Sequence, residues 1–539
     1  MFDALLHQLT YHAREPMLFN TGLFLFFFLL LLFFYQFVYQ RPRSRITYLT
    51  LVSLYFYYKS GGFFFGLLIL STIVDFYIAG LIFKSNNRRK RTGLLMLSLV
   101  VNLGLLAYFK YTNFFVDIVS GLRGGHANPL DIALPVGISF YTFQVLSYTI
   151  DIYRGLLKPA KSIFDFAFYI MFFPHLVAGP IVRAVNFLPQ IHQKVWLSRQ
   201  DLGTALFLIV TGLFKKAVIS DYISTNFVDR VFENPVLYSG WENLMAVYGY
   251  AMQIYCDFSG YSDMAIGIAL LMGYRLGINF NQPYQSASIT EFWKRWHISL
   301  SSWLRDYLYI PLGGSRAGSR GARVIIYGAL LATWLMGVVL AVQQDHYFIL
   351  LIAAVATLLI FIPSLFSREK RQPLNTSLNL MSTMLLGGLW HGASWNFIFW
   401  GFLHGAALGI EKFIKTWVRL PDARWVKVLG VLLTFHFVCF CWIFFRAGDF
   451  HIATQVLEQI ANAFDPVIIG QWMQGYLLVF ALILFGYLTH FIPVSWNARL
   501  ERKLAYAPMA AQIFLLAGVV YLVIQMKSAD IQPFIYFRF

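Results

Sequence analysis

The chain has 539 residues, of which 58% are hydrophobic and only 12% charged, against about 45–50% and 25% in an ordinary soluble domain. A buried core cannot hide so many Phe, Leu, Ile and Trp side chains, and exposing the surplus to water costs about 25 cal/mol per Å². A water-soluble fold is excluded, and lipid is the solvent for much of the surface. The formal net charge of +17 does not point to nucleic acid, because the basic residues sit in short clusters between apolar runs rather than along one polar face.

The first apolar run, Leu18 to Gln40, has no charged segment directly before it and no small-residue cleavage site after it. It therefore reads as a retained span rather than a signal peptide. Arg41, Arg43 and Arg45 follow it, and Lys84, Arg88, Arg89, Lys90 and Arg91 follow the run that ends near residue 83. The positive-inside rule assigns both clusters to the cytoplasmic side, which puts the N-terminus, the Gly61-Gly62 turn and the loop Gly121 to Asp131 outside. Runs long enough to span recur near residues 18–40, 61–83, 93–119, 202–228, 238–256, 322–342, 346–366, 426–446, 473–492 and 508–527. This predicts an all-α polytopic membrane protein, a single integral membrane domain over 1–539 with N-terminal helices 18–119 and C-terminal helices 426–527. No internal repeat of the kind that marks two-fold transporters is evident. Cys256, Cys439 and Cys441 lie in or beside apolar segments and suggest packing, with neither a disulfide framework nor a metal site.

Five other segments, 132–150, 163–182, 261–280, 289–312 and 377–410, are apolar but interrupted by Gly, Pro, His and charges. Such segments are tolerated at membrane depth only where protein or a water-filled cavity surrounds them, so they are expected to line the functional interior. In the stretch Gln253 to Gly267, which runs into the third of these, Asp257 and Asp263 flank a Ser-Gly break. Carboxylates there cost about 2.5–3.5 kcal/mol on insertion scales, which favours structural pairing with Arg or backbone donors over catalysis. The fourth segment mixes Glu291, Lys294, Arg295, His297, Arg305 and Asp306 with three tryptophans. Ser288 and Glu291 fit a helix-starting S-x-x-E pattern, and Glu291 and Arg295 are one turn apart and able to pair. An interfacial helix held by Trp and basic anchors is the plainer alternative for this segment. In the fifth, Gly387, Gly388 and Gly392 bracket His391, allowing close approach to its imidazole. His404 lies thirteen positions on, about 140° away on a continuous helix, so the two histidines are not expected to form a metal site. His391 alone among aromatics suits a general base with its pKa depressed in a dry site, and the alternative is a histidine that bonds a neighbouring helix. No G-x-S-x-G, H-E-x-x-H, P-loop or dinucleotide fingerprint occurs.

Five motifs together carry a family likeness: SFYTFQVLSYTIDIYRG from Ser139, FFPHLVAGPIVR from Phe172, DFSGYSDMAIG from Asp257, EFWKRWHISLSSWLRDYLYIPLGG from Glu291 and GGLWHGASWNFIFWG from Gly387. The chain resembles the membrane-bound O-acyltransferase (MBOAT) family, in its bacterial AlgI/DltB-like branch of alginate O-acetylation and D-alanyl export. The resemblance implies a ring of tilted helices with re-entrant segments around a central catalytic tunnel, with a family core at about 130–415. It assigns catalysis to His391, which would assist deprotonation of an acceptor hydroxyl attacking a thioester, with His297 shaping or polarising the same cavity. Trp390, Trp395, Asn396, Asp257, Glu291, Arg295, Arg305 and Asp306 are candidate tunnel residues. Residues 322–366 form an apparent extra apolar hairpin, a departure from the more direct connection in that branch.

Similar aromatic tails end proteins of that branch, and here the tail is residues 533–539. It reads as an interfacial anchor, and alternatively Tyr536 serves as an acyl acceptor, since a phenol is a competent acyl carrier. The expected activity is O-acetylation of an exported cell-surface polysaccharide, whether alginate, cellulose or another glycan, with transfer across the inner membrane. No bound cofactor is implied, and acetyl-CoA or another acyl thioester is the donor substrate. The bilayer, a periplasmic SGNH-type acetyltransferase and polysaccharide secretion proteins are the expected partners. A transporter, or a scaffold of a secretion complex without chemistry of its own, is the alternative class.

Overall fold

The computed structural model describes residues 7–526 apart from positions 14, 124, 126, 127, 178, 419 and 420, most of 316–340 and all of 341–371. Every regular element among the described residues is a helix. The first apolar run supplies α1 (Gly22–Tyr35), capped by the Thr21 hydroxyl, which accepts the Phe24 N–H. At 14 residues it is about 21 Å long, short of the roughly 30 Å hydrocarbon core that a span over the whole run would cross. Helices α2 (Pro42–Gly61) and α3 (Phe65–Lys84) meet at Gly62, whose φ of 65° is the left-handed conformation glycine adopts without strain.

Next come α4 (Arg88–Leu122), α5 (Ile138–Tyr153) and α6 (Ile163–Met171). Helix α7 (Arg199–Leu213) runs on through a π-helical turn at Phe214–Ser220, and α8 (Gly240–Leu271) follows. Both α7 and α8 open on capping boxes, Ser198 with Asp201 and Ser239 with Glu242, in which side chain and backbone satisfy each other's first-turn donors. The short helices α9 (Ile289–Arg295) and α10 (Ile298–Leu304) precede α11 (Gln372–His391), α12 (Trp395–Trp417) and α13 (Arg424–Arg446). The chain continues as α14 (Phe450–Asn462), α15 (Ile468–Gly475), α16 (Leu477–His490), α17 (Val494–Ala505) and α18 (Met509–Met526).

Among the described residues, six helical stretches are long and apolar enough to cross a membrane: Pro42–Lys84, Arg88–Gly121, Arg199–Glu233, Trp395–Lys415, Arg424–Arg446 and Met509–Met526. A seventh results if α15 and α16, bent by 90°, count as one. The apolar hairpin expected at 322–366 falls almost entirely outside the described residues. The chain divides into two compact units, one comprising Met1–Tyr111, Ile132–Asn281 and Val456–Phe539, the other Thr112–Asp131 and Gln282–Gln455.

In the first unit, α7 and α8 cross where Gly212 faces Gly260. A Cβ on Gly212 would stand 2.5 Å from the Gly260 carbonyl oxygen, and one on Gly260 would stand 2.7 Å from that of Gly212. Ser259-Gly260, which reads as a break, therefore lies inside an unbroken helix, where the missing side chain lets another backbone approach. Three of the acidic residues on this unit's helices are paired with lysines. Lys216 donates to Asp257 at 2.5 Å and Asp221 at 2.7 Å, and Lys215 donates to Asp263 at 2.7 Å. The donor is thus lysine, where the sequence suggested arginine or backbone. Asp75 accepts from the hydroxyls of Ser98 and Thr149 and from the Asn102 amide, so one carboxylate joins α3, α4 and α5.

In the second unit, α11 and α12 form an antiparallel pair whose contact is nearly backbone to backbone. A Cβ on Gly388 would lie 2.2 Å from the Phe397 carbonyl oxygen, and one on Gly401 would lie 2.3 Å from that of Met384. Gly401, Gly405 and Gly409 recur every four residues along α12 and face Met384, Met381 and Ser377 of α11 in turn. This is the small-residue stripe by which helices associate in lipid, where no hydrophobic force drives them together. Gly401→Leu is therefore expected to cost on the order of 1–3 kcal/mol or more, read as lost monodispersity on gel filtration or a lower Tm in detergent. Gly518→Leu, at a position with nothing within 4 Å of its Cβ, should leave both unchanged.

Candidate active site

Helix α11 ends at His391, and Gly392-Ala393-Ser394 reverses the chain into α12. Gly392 is needed there because a Cβ would lie 2.1 Å from the Phe397 ring. The His391 imidazole is buried and packs edge-on against three rings: Trp390 at 5.0 Å between centroids, Trp400 at 4.9 Å and Phe445 at 5.3 Å. Because it closes α11, it also sits at the carbonyl end of the helix, where the macrodipole favours positive charge.

His297 occupies the joint between α9 and α10 with φ 42° and ψ 56°. A non-glycine residue held in this left-handed conformation persists only where its surroundings over-determine it, a pattern found at functional sites. The side chain is fully buried, and its Nδ1 lies 3.5 Å from the Ser299 hydroxyl. Burial lowers its pKa to about 3, which keeps the ring neutral. Its ring lies 6.3 Å from that of Trp390, so one tryptophan stands against both motif histidines.

The continuous-helix reading that separated His404 from His391 does not survive the reversal at 392–394. His404 packs 4.7 Å from Trp400, and Trp400 also touches His391. His297, Trp390, His391, Trp400 and His404 thus form a series of alternating imidazole and indole rings. Among the described residues, no three His, Cys, Asp or Glu side chains converge as metal ligands.

The other candidate residues are placed as follows. The Ser288 hydroxyl accepts the Glu291 N–H and starts α9, while the Glu291 carboxylate accepts from the Ala287 N–H at 2.9 Å and pairs with Arg295 at 2.8 Å. Arg305 pairs with the adjacent Asp306 at 2.7 Å, at the start of a π-helical turn after α10. Asn396 donates its side-chain N–H to the Ala447 carbonyl at 2.9 Å and ties α12 to the end of α13. Trp395 packs on Phe114 at 5.5 Å. Asp257 belongs to the first unit, engaged by Lys216. Tyr536 and the tail 533–539 lie outside the described residues.

Trp293, Trp400, Trp442 and Phe445 were not singled out from the sequence. Trp442 stacks 6.1 Å from Trp400, and Phe445 touches both His391 and Trp400. Only the Gly-Ala-Ser reversal after His391 signals that residues nine positions further on return to it.

The family pattern described as MBOAT, membrane-bound O-acyltransferase family, matches residues 160–351 and 359–450. These stretches include both histidine motifs and most of 322–366, and continue through α13. The chain is 34% identical to "Peptidoglycan O-acetyltransferase" of Helicobacter pylori, over 82% of this chain and 79% of that protein. It is 32% identical to "Probable alginate O-acetylase AlgI" of Pseudomonas putida, over 97% of this chain and 100% of that one. "Teichoic acid D-alanyltransferase" of Bacillus subtilis is 29% identical over 60% of this chain and 72% of its own. With the family pattern matched over more than half its length and relatives aligned over most of it, the chain belongs to the membrane-bound O-acyltransferase family and is an O-acyltransferase.

Proposed function

We propose that this enzyme is an inner-membrane O-acetyltransferase that takes acetyl from a cytoplasmic thioester, acetyl-CoA, and passes it outward for O-acetylation of an exported cell-surface polysaccharide. The observation that carries the reading is His391, a buried imidazole at a helix carbonyl end, boxed by aromatic rings beside a second, neutral histidine. Acetyl rather than D-alanyl is supported by the relatives named as O-acetylating enzymes, which align over more of the chain than the D-alanyltransferase does.

His391 accepts the proton of the acceptor hydroxyl as that oxygen attacks the thioester carbonyl. The tetrahedral centre then collapses, the carbon–sulfur bond breaks, and the proton passes from the imidazolium to the departing thiolate. The carbonyl end of α11 lowers the energy of the transient imidazolium. His297, held rigidly beyond Trp390, shapes the cavity wall and polarises it.

The clusters Arg41 to Arg45 and Lys84 to Arg91 mark the cytoplasmic face, with a periplasmic N-terminus. On the periplasmic side, an SGNH-type acetyltransferase working with polysaccharide secretion proteins receives the acetyl group, and Tyr536 carries it as a tyrosyl ester.

His391→Ala is expected to lower polymer acetylation by about 10²–10⁴-fold while membrane insertion and assembly stay normal. Undiminished acetylation would leave the transporter or scaffold reading. Tyr536→Phe should abolish acetylation of the polymer and leave donor thioester binding intact; normal polymer acetylation in that variant rules out the tyrosyl carrier.

A further inference from the structure

Trp400, which packs on His391, and two rings against it carry polar atoms without a hydrogen-bond partner. His404 is fully buried with neither ring nitrogen bonded, and the buried indoles of Trp293 and Trp400 each leave Nε1–H unbonded. The three rings are mutual neighbours, 4.7 Å between Trp400 and His404, 5.2 Å between Trp293 and His404 and 5.7 Å between Trp293 and Trp400. Phe292, stacked on His404 at 6.1 Å, and Phe437 at 5.7 Å close the group with apolar surface. A buried polar atom left unmet forfeits its hydration with nothing in return, and four in one place would consume much of the margin by which a folded chain is stable.

We infer that Trp293, Trp400 and His404 together bind one hydrogen-bonding oxygen atom, a site next to His391 that neither histidine motif supplies alone. The atom type follows from what the rings offer. Both indoles can only donate, and in either neutral tautomer His404 offers one N–H and one lone pair. An oxygen with two lone pairs accepts two of these N–H groups. A cation finds a single lone pair among three donors, and an aliphatic group satisfies nothing.

Two sources supply such an oxygen. A resident water accepts from the indoles and donates to the imidazole lone pair. The carbonyl oxygen of the acyl group only accepts, and as the tetrahedral centre forms, the same N–H groups meet its growing negative charge. In both cases His404 acts through Trp400, which packs nearly perpendicular to His391. It is a positioning residue, and only this kinetic consequence rests on His391 being the base.

The occupancy is read from maps of the full chain in lipid nanodiscs, at a resolution that shows ordered water. One map is ligand-free; the other holds a thioether analogue of acetyl-CoA in which a methylene separates sulfur from the acetyl carbonyl. A peak within hydrogen-bonding distance of His404 and of an indole nitrogen in the ligand-free map identifies water, and one present only with the analogue identifies the acyl oxygen. No peak in either map overturns the inference, whatever His391→Ala does to activity. In kinetics, His404→Phe should lower kcat about tenfold or more with the KM for acetyl-CoA unchanged. His404→Gln, which keeps a donor and an acceptor, should recover most of the loss. Equal kcat in the parent protein and both variants overturns the positioning role, and the maps decide the binding site if His404→Phe fails to fold.

Discussion

The candidate site depends on how closely α11 and α12 approach. In lipid, two helices gain nothing by hiding apolar surface from water, because the tails they displace are as apolar as they are. Contact must come from van der Waals packing at short range, and Gly388 and Gly401 permit it by leaving no side chain where each meets the carbonyl of the opposing strand of the hairpin. With the two backbones in contact, the reversal at Gly392-Ala393-Ser394 has little freedom. His391 is fixed at the carbonyl end of one helix, and Trp400, in the second turn of the next, comes to rest against it.

Much of this is legible in the amino-acid sequence. Composition and charge placement were enough to give a helical membrane protein, and the spacing of Glu291 and Arg295 anticipated their ion pair. What could not be read was the use to which each glycine is put. Gly260 sits in a Ser-Gly pair that looks like a helix break, yet it serves a helix crossing, and only the presence of Gly212 opposite decides between the two. Gly392 does the reverse, ending a helix that the surrounding apolar residues would prolong, so His391 and His404 lie on two helices and not on the single one their spacing suggests. Hydropathy was similarly blind to the length of α1, because a run of Phe and Leu scores the same whether it is helical throughout or only for 14 residues.

The two units handle polarity at depth differently. In the first, buried charge is cancelled locally: Lys215 and Lys216 are drawn to Asp263 and Asp257, and Asp75 is met by three neutral donors. Such groups cannot shift their protonation without losing a partner, which suits anchors and not proton carriers. The rings packed on His391 in the second unit, Trp390, Trp400 and Phe445, carry no formal charge.

The alternation of imidazole and indole answers a further requirement. Histidines in direct hydrogen-bond contact titrate as a coupled set, and neither can be assigned a proton independently of the other. Trp390 stands against both His297 and His391, and Trp400 stands against both His391 and His404. An indole does not ionise and its only hydrogen-bonding atom is a donor, so it transmits position without exchanging protons. It is also rigid, with two rotatable bonds, and holds its neighbours at the ring-to-ring distances seen here without a long search among rotamers. His297 and His391 are thus held one indole apart, and so are His391 and His404.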